Sequence, residues 1–163
     1  MKKLLFVLFS FSSFICSAQD FSQFQSIPLK KSEDCKNAQP KVVECANYLL
    51  SQPAVEDLNS LNAIRFIMAW MEKTPDFSFQ LGGDVFASVA SDTNLVARYL
   101  AAQSLVAINK GSISDQQEFK NEYIIIFLSY CEKPENKVKM NSKLKKIVKA
   151  KDEGKLNEIV AKL

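Results

Sequence analysis

The residues with most chemistry to offer lie between Arg65 and Phe79, in the run Arg-Phe-Ile-Met-Ala-Trp-Met-Glu-Lys-Thr-Pro-Asp-Phe-Ser-Phe. This stretch holds the only tryptophan and one of the two arginines, with Asp76 directly after a proline. Such a set would frame a small-ligand pocket. Trp70 and Phe77 would form its walls, Arg65 would bind an acid group and Asp76 would orient a polar one. The competing reading is structural. An aromatic stripe at helical spacing ordinarily packs into a core, an arginine pairs with a carboxylate, and an Asp after a turn proline bonds its own backbone.

The chain has no histidine. It therefore lacks the commonest general base, the commonest zinc ligand and the partner that activates a serine or cysteine nucleophile. No phosphate-cradling glycine loop, dinucleotide fingerprint, nucleophile elbow or zinc-protease motif occurs, and Gly82-Gly83-Asp84 is too short to cradle a phosphate. Glu56-Asp57 and Asp152-Glu153 are adjacent carboxylates. On a helix, neighbours point about 100° apart and do not share a substrate. These features predict a non-catalytic protein without a cofactor or a bound metal. The alternative from another class is a small-ligand carrier or a carboxylate-based enzyme, with its site near Trp70.

Three cysteines follow the first eighteen residues: Cys35, Cys45 and Cys131. Cys35 sits in a polar stretch that reads as loop, and Cys45 falls in the helix after Pro40. A loop folding back onto a helix predicts a Cys35–Cys45 disulfide with Cys131 free. Cys35–Cys131, or three buried thiols, are the alternatives.

Charge is unevenly spread. Residues 133–163 carry ten lysines against four acids, a net +6, while residues 19–132 carry nine basic and fourteen acidic residues, a net −5. The basic region reads as a solvated helical face. The sharper reading is peripheral membrane association, or contact with another anionic surface of the envelope, through Lys143, Lys145, Lys146 and Lys149. Nucleic acid is disfavoured, because the region has no arginine for bidentate phosphate recognition and no aromatic on which a base would stack.

The elements that must position these residues begin after an export signal. Lys2 and Lys3 precede the largely apolar run Leu4–Ile15, and Cys16-Ser17-Ala18 offers small residues at a cleavage site. This predicts a signal peptide over 1–18, cleavage after Ala18, and a periplasmic or secreted protein. Lipidation at Cys16 is the rival, weakened by bulky Phe14 and Ile15. Residues 19–40 read as an extended segment docked through Phe21, Phe24, Ile27 and Leu29, and residues 41–163 as one helical domain.

Helices are expected over 41–51, 55–74, 84–91, 94–109, 115–132 and from about 142, the last broken near Gly154. The second of these reads as the central, buried helix, with Leu58, Leu61, Ile64, Met68 and Met71 as its main stripe. A Ser114–Gln117 capping box opens the 115–132 helix, although Tyr123–Leu128 also suits a buried strand. The fold class is all-α: a compact bundle of five to seven helices, with a short helical-repeat solenoid as the alternative. The function expected of it is protein binding or scaffolding in the envelope or extracellular space.

Overall fold

Side-chain caps start four of the helices. Asp57 accepts a hydrogen bond from the Ser60 amide, Asp92 from Asn94 and Leu95, Asp115 from Gln117 and Glu118, and Asn141 from Leu144. Each satisfies amides that the first helical turn leaves without partners. Stops are equally local. Gly111, at φ 70°, ends one helix in the left-handed conformation that glycine adopts without strain. Thr74 before Pro75 ends another in extended backbone.

The computed structural model describes residues 20–79 and 81–160. Among them are seven α-helices: α1 (Ser32–Ser51), α2 (Leu58–Lys73), α3 (Gly83–Val89), α4 (Thr93–Lys110), α5 (Gln116–Glu132), α6 (Ser142–Asp152) and α7 (Leu156–Val160). The chain is an all-helical bundle, with no strand among the described residues. The Tyr123–Leu128 run is helical, part of α5. The expected signal peptide and Cys16 lie outside the described residues.

Helix α4 is the centre of the bundle. It packs against α1 on one side and α5 on the other, while α1 also packs on α2. Helices α3 and α6 pair at one end, and α7 bridges α5 and α6. The Asn141 side chain donates to the Ser88 carbonyl at 2.6 Å, fastening α6 to the end of α3. Ala97, Ala101, Ala102, Ser104 and Ala107 on α4 are all buried. Such small side chains let neighbouring helices approach from several directions, which fits α4 for the middle position.

The structure changes four expectations. Helix α1 begins at Ser32, nine residues before the predicted start, and runs through Pro40. Proline removes one intrahelical hydrogen bond. The Asp34 carboxylate accepts from the Lys30 and Lys31 amides upstream, and Cys35, Ala38 and Val42 are buried on both sides of the proline. A capped start and a continuous buried face thus hold the helix across it. The lead-in is residues 20–31, not 19–40, and it is not extended throughout, since Ser22–Ser26 form a 3-10 turn; Phe21 and Phe24 dock as expected, at 0% and 3% exposure.

The disulfide is the second change. Cys35 and Cys45 lie on the same helix, ten residues apart. That separates them by about 15 Å along the helix axis, whereas a disulfide requires Cα atoms about 4.4–6.8 Å apart. Cys35, Cys45 and Cys131 are all free and buried.

Third, the cap of α5 is Asp115, one residue beyond the predicted Ser114. Fourth, the buried central helix is α4 and not α2. Of the stripe expected to face the core, Leu58, Leu61 and Met68 are exposed, at 67%, 42% and 53%. The face of α2 that enters the core carries Ala63, Phe66, Ile67 and Trp70.

Candidate functional site

The two apolar faces of α2 lie nearly opposite each other. By helical spacing, Leu58, Leu61, Ile64 and Met68 form one stripe and Ala63, Phe66, Ile67 and Trp70 the other. The inner stripe fills the core. The outer one lines an open groove of about 710 Å³, the size range of small-molecule sites. Its remaining walls are the 55–57 loop, Phe86 of α3, and Val96, Ala97, Arg98 and Leu100 of α4. The lining is dominantly apolar. Exposed apolar side chains gathered on one concavity, rather than scattered singly, mark an interaction site.

One wall residue breaks the apolar pattern. Arg98 is 1% exposed. Its Nη1 donates to the Asn94 carbonyl at a long 3.5 Å, and its Nε and Nη2 have no partner. No acidic side chain among the described residues lies within ion-pair distance of it. The guanidinium stands 5.7 Å from the centre of the Tyr130 ring, a cation–π contact. Burial pushes the Tyr130 hydroxyl pKa up, and the Arg98 charge opposes that rise. A ring face offers far less to a buried cation than water or a carboxylate does. The guanidinium is therefore buried beside the Tyr130 side chain with no carboxylate or carbonyl on its Nε and Nη2 among the described residues.

The residues singled out from the sequence are placed differently. Trp70 is fully buried, its Nε1 donating to the Cys35 carbonyl at 2.9 Å, so it ties α2 to the first turn of α1. Phe77 and Phe79 pack on it, with ring centres 5.8 Å away in both cases. Trp70 and Phe77 do meet, as core. Arg65 is exposed on α2. It is five residues before Trp70, about 140° around the helix. Asp76 sits 4.0 Å from Lys36 at the surface. None of the four lines the groove, which lies on the other side of α2.

Of the lysines, Lys143 pairs with Asp84 at 3.6 Å and Lys149 with Glu153 at 3.7 Å. Lys145 and Lys146 are exposed. The buried side of α6 is Leu144, Ile147 and Ala150. The thiols are packing groups: burial pushes Cys45 and Cys131 up to about 12, and it raises Cys35 as well, so none is a thiolate at neutral pH. No three His, Cys, Asp or Glu side chains converge to hold a metal, and no helix is long and apolar enough to cross a membrane, among the described residues.

Sequence reasoning missed Arg98, though a signal existed. Leu95, Arg98, Ala102 and Leu105 follow helical spacing, which puts a lone cation on an apolar face. No family model, curated protein or solved structure matches the chain.

Proposed function

We propose that the protein is an exported, non-catalytic binding protein whose groove between α2, α3 and α4 carries a small amphiphilic ligand. The observation that carries this reading is the outer stripe of α2. Leu58, Leu61 and Met68 stand exposed on the wall of a concavity when the same helix buries a separate apolar face. A helix needs only one apolar face to fold; the second is free to bind. The signal-like segment over residues 1–18 supports a site of action outside the cytoplasm.

Binding is tested on the purified protein with an environment-sensitive apolar dye and its displacement by aliphatic amphiphiles. Wild-type protein is expected to bind the dye saturably while unfolding cooperatively. The double variant Leu61→Gln, Met68→Gln is expected to lose at least tenfold in affinity with an unchanged far-UV circular dichroism spectrum. Absence of dye and amphiphile binding in the wild type would sink the proposal. For export, the intact mass from an expressing bacterium should correspond to a start at Gln19; a full-length mass or a lipid adduct on Cys16 would refute it.

A second reading has its own support. The net −5 of residues 19–132 against the net +6 of residues 133–163 suits steering toward an oppositely patterned protein partner. Capture by the purified protein of a partner that leaves at high salt, together with failure of every amphiphile to bind, would favour it over the carrier.

A further inference from the structure

Resting on the reading of the groove as a ligand site, we infer that its ligand is an aliphatic monocarboxylate, with the carboxylate held by Arg98 and the chain laid along Leu61, Ile64 and Met68. The two halves of this assignment come from different observations. The chain follows from the apolar wall. The head group follows from Arg98, which is 1% exposed and leaves Nε and Nη2 without partners. Those two donors sit side by side on a guanidinium, the pair that a carboxylate accepts in the bidentate manner. A buried cation whose donors are unmet is costly, and a ligand carboxylate supplies both the counter-charge and the missing acceptors.

The charge of the head group is argued from what surrounds it. Arg98 is the only cationic residue in the groove wall among the described residues, and Glu56 and Asp57 also line it. A single negative charge neutralises the guanidinium, and the two carboxylates already lining the groove disfavour any further one. A phosphate monoester, carrying nearly two charges at neutral pH, would add an uncompensated charge next to Glu56 and Asp57. A phosphate site would also draw on free helix-terminal amides. At the start of α4, the amides of Asn94 and Leu95 are already taken by Asp92.

The route to Arg98 is the segment over Pro53–Glu56. These residues are exposed, and Val55 and Glu56 share the groove wall with Arg98. The segment joins α1 to α2 and would have to move aside for a carboxylate to reach the buried Arg98.

Displacement titrations with dodecanoate, dodecanol, methyl dodecanoate and dodecyl phosphate on the purified full chain test the assignment. Dodecanoate is expected to bind at least tenfold more tightly than the alcohol or the ester. Arg98→Met is expected to abolish that preference while leaving dodecanol affinity within about twofold, and Arg98→Lys to restore part of it. Should Arg98→Met fail to fold, the wild-type comparison of acid with ester still decides the matter. Equal binding of acid, alcohol and ester overturns the Arg98 assignment but leaves the groove reading intact. Tighter binding of dodecyl phosphate than of dodecanoate overturns the single-charge assignment. Binding of none of the four overturns the groove reading itself.

Discussion

Helices α2 and α4 are nearly equal in length, and each reads from sequence as an apolar helix, yet the bundle uses them in different ways. Helix α4 buries eleven of its eighteen residues, including Arg98, Gln103 and Ser104. Helix α2 buries one stripe and leaves Leu58, Leu61 and Met68 to solvent. The difference lies in side-chain size. The buried positions of α4 are mostly Ala, Ser or slim aliphatics, so α1, α2, α3 and α5 all reach its surface. The buried stripe of α2 is built from Phe66, Ile67 and Trp70, which fill one interface, while among the described residues the other side borders only the open groove. Apolar content sets how much surface a helix wants to bury. Residue size and neighbours set how many sides it does bury.

The strongest way to break this comparison is at the inner stripe of α2. Trp70→Ala removes the largest fully buried side chain and its hydrogen bond to Cys35. It should cost about 3–5 kcal/mol in chemical denaturation. A loss below about 1 kcal/mol would mean that α2 is not anchored through this face.

Crowding tests α4 next. Ala101 and Ala102 are 0% exposed. Ala101→Leu should lower stability by about 1–3 kcal/mol, because the close approach of its neighbours leaves no room for added methylenes. A neutral or stabilising result would show slack around α4 and remove the reason given for its central place.

A pH titration sharpens the contrast, since buried ionisable groups gather on α4 and its neighbours. The Tyr99 and Tyr123 hydroxyls lie 3.1 Å apart between α4 and α5, and burial raises both above the ordinary 10.0. Cys45 and Cys131 rise from 9.0 to about 12. In each case the fold favours the protonated form. The contribution is therefore whole below pH 9, where the unfolded chain is protonated too. It declines as pH rises from 9 towards 12, where only the unfolded chain releases protons. The melting temperature should hold level from pH 7 to 8.5 and fall steadily above 9. A level value up to pH 11 would contradict the burial of these groups.

The smallest expected effect lies on the outer stripe. Met68→Gln should change stability by no more than about 0.5 kcal/mol, as surface substitutions do, while weakening amphiphile binding. A large loss of stability would show that the outer stripe is core after all.

Much of the fold was legible locally. The Lys110-Gly111 stop, the Thr74-Pro75 stop and the break at Gly154 all follow from short-range chemistry. The start of α1 was not, because Pro40 looks like a first-turn proline and nothing nearby reveals the packing that carries the helix across it. The site was legible only in part. The pocket was expected beside Trp70 and Phe77, since aromatic side chains suit walls and cores equally well and a single sequence does not separate the two roles.

By itself, the sequence determined the helical class, most of the helix ends and the lack of histidine-based chemistry. These depend on caps, glycines, prolines and composition, which act within a few residues. Only the tertiary structure decided which apolar stripe of α2 faces inward, that Cys35 and Cys45 stand on one helix about half its length apart, and that Arg98 is walled in with unmet donors. Each of these depends on which surface of a distant helix arrives opposite, and helical periodicity is blind to that partner.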